Sequence, residues 1–306
     1  MDSMNYSLER LFTIGAIDIT CNITPLGKKI NAFRQMNVES SKMILSGLVY
    51  GASLKELVAI ACLLNYKLND IVINQRTSGI PPYDVRRLID EIYEHSPEYA
   101  TSNRRDCDYQ LKARLLVGCE MIELLLIYQR FMAKAATTSV ADLKEWCASK
   151  GIVFQTLCNV TEDIDETCWQ MLVQLGINPM SMANDKEDLY HVLKRSGTMN
   201  NNELIGAVTT LKKCIYEGYK NNLLVWHEKE NAFKTLRGLS VMVKSNLAHK
   251  LSYQKIGSAF DQLRPRTLVY KSIIAMTNRD GTIEFSASPV SVMDGFVYVD
   301  TTFVAM

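Results

Sequence analysis

The chain has 306 residues, more than one hydrophobic core usually serves, so two or three domains are expected. Its hydrophobic content of 47%, charged content of 22% and formal net charge of +1 are ordinary for a globular protein and exclude a strongly basic or acidic chain. The eight cysteines include no Cys-x-x-Cys pair and none has a histidine at zinc-ligand spacing, which predicts a reducing, intracellular compartment and no metal site.

The first predicted elements are a helix from Ser7 to Thr13, two short extended pieces around 16–19 and 22–24, and a helix that starts at Pro25. Proline suits the first turn of a helix because its missing N–H would have no partner there, and Thr24 can cap the remaining amides. Lys28 and Lys29 follow in this helix start. Two interpretations stay open for them, a solvated turn or contact with a phosphate, since helix N-termini attract anions.

The sequence Gly27-Lys28-Lys29 is not that of an ATPase phosphate loop. Such a loop has an earlier glycine and a hydroxyl residue after the lysine, and Pro25 removes one of the amides that would wrap the phosphates. The four histidines are scattered, and no Gly-x-Ser-x-Gly elbow occurs. The residues alone therefore predict no self-contained catalysis.

A helical region follows. One helix is predicted to begin near Ser40 and to stop at Gly51, and a capping box of Ser53 and Glu56 starts a buried helix. Pro81-Pro82 interrupts the pattern before a helix in 83–95, and further helices are predicted at 110–134, 140–150, 161–175 and 203–218. The apolar run 115–127 contains two glutamates and is too short to span a bilayer.

The acidic residues Glu162, Asp163, Asp165 and Glu166 follow Thr161, which is a good N-cap residue. In the first turn of a helix they would complement the helix dipole, so we expect a structural role. The alternative is a catalytic pair of carboxylates.

The sequence pattern changes after Gly218, and a domain boundary is predicted near 218–222. Short segments rich in β-branched and aromatic residues then alternate with turn signals: LLVWH, AFKTL, LSVMV, RTLVYKSIIAM, TIEFS and FVYVD. About five strands of this length predict a small closed or nearly closed β-barrel, since an open sheet would expose its edges.

Charge is distributed unevenly along the chain. Residues 135–210 have a net charge of −5, whereas residues 211–280 have a net charge of +8. The basic segment also carries the aromatic residues Trp226, Phe233, Tyr253 and Tyr270. Barrels bind single strands by tracking phosphates with cations and by stacking bases on aromatic rings, so this segment favours nucleic-acid binding. The alternative is that the rings fill the barrel and the lysines only solubilise it.

The order of these features resembles a known family. The segment LERLFTIGAIDITCNITPLGKKINAFRQMNVESSKMIL is similar to the junction of the winged-helix and helical-bundle domains in DEAH/RHA-type superfamily 2 helicases. GASLKELVAIACLL and LKEWCASKGIVFQTL look like later bundle segments of that family. LKKCIYEGYKNNLLVWH resembles the helix that leads into its OB-fold, and AFKTLRGLSVMV and RPRTLVYKSIIAMT resemble OB strands.

The chain also departs from the family pattern. An aspartate-histidine pair of the family appears as Asp108-Tyr109, its His-Pro-Ser-Ser turn is replaced by 244–247, and Thr277 stands alone where a Thr-Thr/Ser-Lys loop is usual. With this degree of divergence, the chain resembles a family member from a large DNA virus that is related to the poxviral helicases.

The resemblance implies an α+β chain: a partial winged helix in 1–38, a ratchet-like helical bundle in 39–220 and an OB-like β-barrel in 221–306. It implies the C-terminal accessory region of an ATP-dependent RNA helicase, in the host cytoplasm or the virion. The RecA-like motor domains, with ATP and Mg²⁺, would lie upstream of this chain, so the chain itself is expected to hold no cofactor.

The resemblance also implies the partners and the site. The partners would be single-stranded RNA or DNA, the motor domains and a protein activator, with no membrane. By matched positions, the nucleic-acid-binding residues would be Lys234, Lys271 and Thr277, with Lys28 and Lys29 from the first motif. The alternative function is a non-enzymatic module that docks a partner protein in a viral replication or transcription complex.

Overall fold

The computed structural model describes residues 2–73, 83, 87–88, 91, 115–116, 118–179, 187–195, 201–230, 232–243, 266–277 and 282–293. Within these residues the chain is α+β, with ten helices followed by a five-stranded mixed sheet. The α+β class is therefore confirmed. The last predicted strand, FVYVD, and the helix predicted in 83–95 lie wholly or largely outside the described residues.

The helices are α1 (Asp2–Ile14), α2 (Pro25–Ile30), α3 (Val38–Tyr50), α4 (Leu54–Leu63), α5 (Leu68–Ile71), α6 (Glu120–Ala135), α7 (Val140–Lys150), α8 (Phe154–Leu175), α9 (Leu189–Arg195) and α10 (Asn201–Tyr219). The strands are β1 (Leu223–His227), β2 (Ala232–Thr235), β3 (Ser240–Val243), β4 (Thr267–Thr277) and β5 (Ile283–Val292).

Local capping explains several helix ends. Pro25 is the first residue of α2, and the Thr24 hydroxyl accepts a hydrogen bond from the Gly27 N–H at 2.9 Å, as predicted. Gly51 ends α3 with a φ of 68°, a left-handed conformation that suits glycine. The Ser53 hydroxyl accepts from the Glu56 N–H at 3.4 Å at the start of α4.

The Glu56 side chain has a longer reach than a local cap requires. Its carboxylate accepts hydrogen bonds from the Gln129 side chain on α6 and from the Leu189 N–H on α9, both at 2.7 Å. Glu56 is buried, and an ionised carboxylate without hydrogen bonds would be costly in the core. These two hydrogen bonds therefore stabilise the buried carboxylate. One side chain thereby ties three helices together.

The predicted start of a helix at Thr161 is wrong. Helix α8 begins at Phe154, and the Thr161 hydroxyl donates to the Leu157 carbonyl at 2.9 Å in the middle of the helix. The apolar residues Leu157, Val160 and Ile164 are buried at helical spacing and carry the helix through this point. The acidic residues are therefore mid-helical, and their predicted match to the helix dipole is wrong too. Asp163 instead accepts from the Tyr66 hydroxyl at 2.7 Å.

The five strands form one sheet in the order β1-β2-β3-β5-β4, and β4 pairs again with β1, so the sheet closes on itself. Every pairing is antiparallel except that of β3 with β5, where Met242 lies opposite Ser286. We call this element the closed sheet.

Alternation along the strands divides the apolar residues between two cores. Leu224 and Phe233 point into the closed sheet with Val241, Leu268, Ala287 and Val290. Their neighbours Leu223 and Val225, with Val269 and Met293, belong to the large core of the helices. Because successive side chains of a strand point to opposite faces, one short strand can serve both cores.

Polar contacts join the closed sheet to the helices. The buried carboxylate of Glu120, at the start of α6, accepts from the Val290 N–H at 2.8 Å. On the other side, Arg237 in the β2–β3 turn donates to Glu9 of α1 at 2.7 Å and lies 4.2 Å from the Tyr6 ring centroid. The helices and the closed sheet thus share both apolar and polar contacts, and the predicted domain boundaries stay predictions.

Candidate nucleic-acid interface

Lys234 lies on β2, directly opposite Val225 of β1. Directly opposite residues share one face of a sheet, so Lys234 is on the outer face, beside the helical core that contains Val225. Only 16% of its side chain is exposed, and its ammonium forms an ion pair with Glu230 in the β1–β2 turn. The hydrogen bond from Lys234 lowers the pKa of Glu230.

Lys271 lies on β4, where the inward face of the strand changes. Val269 packs in the helical core, whereas Tyr270 and Ile273 both pack against the inner cluster of the closed sheet. The Lys271 side chain is half-buried at this change, and burial lowers its pKa. Within the described part of the chain, no carboxylate lies within ion-pair distance of its ammonium. A bound anion would supply the negative charge that the Lys271 ammonium lacks there.

The strand register separates the two lysines. Lys234 is opposite Val225, and Lys271 lies two residues beyond the pair of Val269 with Leu223. They are thus four residues apart along the strand direction and two strands apart. Strand geometry converts these two offsets into a separation on the order of 16 Å. If both bind a nucleic acid, they contact different phosphates.

Thr277 is the last residue of β4, where it pairs with Ile283 and is exposed. It lies six residues from Lys271, which corresponds to about 20 Å along a strand. The structure therefore does not bring Thr277 and Lys271 together. Thr277 instead marks the start of the connection between β4 and β5.

Lys28 and Lys29 are exposed on α2, whose Gly27 and Ile30 are buried. This helix has six residues, so the two lysines fall in its last turn. Cations are favourable at a helix C-terminus, where they meet the negative end of the dipole. The anion-attracting N-terminus considered from the sequence is thus not where these lysines lie.

The aromatic residues of the closed sheet mainly fill it. Phe233 is 3% exposed and contacts the Trp226 ring edge to face, with ring centroids 5.1 Å apart. Trp226 and Tyr270 are partly buried against the same cluster. Tyr253 and the basic residues 244, 250, 255, 264 and 279 lie outside the described residues.

Two charged neighbourhoods were not anticipated. His227 Nδ1 lies 3.8 Å from the Glu230 carboxylate that holds Lys234, and the spacing of Glu230 and Lys234 across a tight turn was the signal available for this cluster. Lys42 on α3 has its pKa lowered by burial and by Lys220, while Glu217 opposes that shift. No local pattern indicated the second group, because α3 and α10 are distant in sequence.

One exposed apolar face also lies on the helices. Trp169, Leu172 and Val173 on α8 are 63%, 47% and 55% exposed and share one side of the helix. Exposed Glu162 and Asp165 lie one or two turns before them. Large apolar side chains grouped in this way typically mark a contact surface for another protein.

Part of the chain is similar to a known helicase-associated domain. Residues 7–34 match the winged-helix part of the helicase associated domain (HA2). This match and the viral relatives described next confirm the expected resemblance to the C-terminal region of a DEAH/RHA-type helicase from a large DNA virus.

The relatives include the protein named "Putative RNA Helicase B962L" of African swine fever virus. The chain is 20% identical to it in a warthog isolate from Namibia over 327 residues, and 20% identical in a pig isolate from Kenya over 317 residues. In both cases the alignment covers 99% of this chain and 30% of the relative. The chain therefore spans less than a third of the length of these relatives.

The described residues contain neither a membrane-spanning helix nor a metal-binding cluster. No helix there is long and apolar enough to cross a membrane. No group of three His, Cys, Asp or Glu side chains there is arranged to hold a metal ion.

Proposed function

We propose that this chain is the accessory region of an ATP-dependent DEAH/RHA-type RNA helicase and that its closed sheet is an OB-like barrel that binds single-stranded nucleic acid. In this proposal 1–38 is a partial winged helix, 39–220 a ratchet-like bundle and 221–306 the barrel. ATP and Mg²⁺ belong to RecA-like motor domains, which partner this region during unwinding.

One observation carries the proposal. A helicase-associated winged-helix match at 7–34 is followed, along the same chain, by helices and then by a five-stranded sheet that closes on itself. OB-folds are five-stranded barrels, and they bind oligonucleotides on strands 2 and 3 and on the loops between strands 1 and 2 and strands 4 and 5.

Two of the nominated residues, Lys234 and Thr277, fit that binding surface. Lys234 is on β2 beside the β1–β2 turn, and Thr277 begins the β4–β5 connection. Lys271 is half-buried, and a phosphate would favour its charged form, which burial disfavours. Lys28 and Lys29 are on α2, so their contact with nucleic acid requires a nucleic-acid strand that extends from the closed sheet to α2.

Titration of the chain with fluorescent oligo(U) over a series of KCl concentrations tests this proposal. We expect weak binding, with a dissociation constant of about 10⁻⁴ to 10⁻⁶ M near physiological salt, and a strong loss of affinity as KCl rises. An oligo(dT) of equal length measures the preference for RNA over DNA. Binding that does not respond to salt, or no binding at low ionic strength, contradicts the proposal.

A second candidate function is a non-enzymatic module that docks a partner protein. The exposed face of Trp169, Leu172 and Val173 favours it, because tryptophan often anchors protein interfaces. The preceding Glu162 and Asp165 fit a partner segment that combines basic and apolar residues. The reading frame upstream of Met1 separates the candidates: RecA-like motifs with a Gly-Lys-Thr loop favour the helicase, and their absence favours the docking module.

A further inference from the structure

Three ionisable side chains meet at the end of the β1–β2 hairpin. His227 ends β1, Glu230 lies in the turn, and Lys234 is on β2. The Lys234 ammonium donates to Glu230 Oε1, and His227 Nδ1 lies 3.8 Å from the same oxygen. A single carboxylate oxygen thus lies between two groups that can carry positive charge.

The three side chains differ in exposure. Lys234 is 16% exposed and His227 is 26% exposed, whereas Glu230 is 49% exposed. Glu228 and Lys229 beside it in the turn are exposed as well. Lys234 and His227 are therefore held on the strands, whereas the carboxylate of Glu230 lies on the more accessible turn.

A carboxylate and a phosphate ester offer a lysine the same kind of contact. Both present negatively charged oxygens that accept short, charge-assisted hydrogen bonds from an ammonium group. While Glu230 holds Lys234, an incoming phosphate must displace a like charge. The phosphate gains the Lys234 contact only when Glu230 leaves.

We propose that Glu230 is an internal competitor for nucleic-acid phosphate at Lys234. The carboxylate occupies the phosphate position in the free chain, and binding of a single strand displaces it, so that the phosphate contacts Lys234 with His227 beside it. This inference rests on the proposed nucleic-acid function and adds to it a residue that sets the affinity. Lys271, which has no described carboxylate partner, has no such competitor.

Substitution of Glu230 by glutamine separates charge from shape. Glu230→Gln keeps the size of the side chain and removes its charge, so Lys234 becomes available to phosphate. We expect oligo(U) affinity to rise by about three- to fivefold, which corresponds to the strength of a partly exposed ion pair. The slope of log affinity against log salt should stay close to that of the wild type, because Lys234 contacts the same phosphate in both proteins.

The matched control is Glu228→Gln, which removes the same charge from the same turn, two residues away. A general reduction in repulsion would act equally in both variants, whereas displacement at Lys234 acts only in Glu230→Gln. In the background of Lys234→Gln, the change at Glu230 should alter affinity by no more than the Glu228 control does. Circular dichroism and urea unfolding confirm that each full-length variant is folded.

The outcomes separate this inference from the proposed function. Salt-sensitive binding by the wild type, with equal affinity and slope in the Glu230→Gln and Glu228→Gln variants, overturns the competitor role and leaves the proposed function standing. Absence of binding in every variant at low salt overturns both. Salt-sensitive binding by the wild type that becomes tighter in Glu230→Gln but not in Glu228→Gln supports both.

Discussion

At the scale of single residues, Lys271 carries a charge that the fold disfavours. Burial lowers its pKa from the ordinary value of 10.5, so the folded state is less stable when Lys271 is protonated than it would be with a neutral side chain. This cost is fully present below the lowered pKa and disappears as the pH rises to 10.5. The proposed contact with a phosphate would give a functional reason for keeping this charge.

The substitution Lys271→Met tests this account of the residue. Without the buried charge, the free energy of unfolding at pH 7 should be unchanged or higher, within about 0.5 kcal/mol. The difference from the wild type should shrink as the pH approaches 10.5, while the oligo(U) salt slope falls by about 0.7. Urea unfolding at several pH values and the oligo(U) titration measure these effects. Lys213→Met, on the exposed side of α10, is the control that should change neither.

Single residues predict local interactions well. Thr24, Pro25 and Gly51 act on their own turn, so their roles follow from their chemistry and immediate neighbours. For Glu56 the sequence predicts only a local cap, because its partners Gln129 and Leu189 are far away in sequence. Glu230 and its partner Lys234 are close in sequence, but their contact depends on the β1–β2 turn, which brings the two side chains together.

At the scale of elements, the crossing of α3 and α10 depends on a close approach of their backbones. A Cβ atom at Gly218 would lie 2.5 Å from the Glu39 carbonyl oxygen and 2.7 Å from Met43 Cβ. Beside this point, the buried Tyr219 hydroxyl is 2.8 Å from the Ser40 hydroxyl. The glycine therefore sets the distance between the two helices.

The substitution Gly218→Ala should lower the free energy of unfolding by about 1–3 kcal/mol, because the added methyl group forces the helices apart. Gly206 is the matched control in the same helix, since a Cβ atom there meets nothing within 4 Å. Gly206→Ala should raise stability by about 0.5–1 kcal/mol through the better helix propensity of alanine. Urea unfolding of both variants measures the contrast, and equal effects would show that the crossing is not close-packed.

Element types were predicted better than element limits. The segment TIEFS marks β5, but the strand continues to Val292 through Ser288 and Pro289, which are poor strand residues. Ser288 and Val290, on either side of the proline, pair with β4. Likewise Thr161 resembled a helix start because a hydroxyl and nearby acids favour a cap, while the packing of Leu157 and Val160 continued the helix. Tertiary contacts decided both cases.

At the scale of the whole molecule, the helices and the closed sheet are joined by shared side chains. Leu223, Val225 and Val269 place one face of the sheet in the helical core, and Glu120 binds the backbone of β5. Periodicity predicts helices followed by short strands, the number of strands predicts a closed or nearly closed sheet, and the resemblance implies the α+β class. The strand order of the sheet and its contacts with α1 and α6 depend on pairings between distant segments, which no local pattern specifies.

The central claim is that lysines of the closed sheet bind the phosphates of a single strand. The most direct measurement is the salt dependence of oligo(U) affinity for the wild type and for the double variant Lys234→Glu/Lys271→Glu. A variant with the same charge change at exposed Lys55 and Lys194, on α4 and α9, is the control. We predict that the double variant remains folded, binds at least about tenfold more weakly and has a slope smaller by about 1.4, while the control stays closer to the wild type. A folded double variant with the affinity and slope of the wild type would contradict the account.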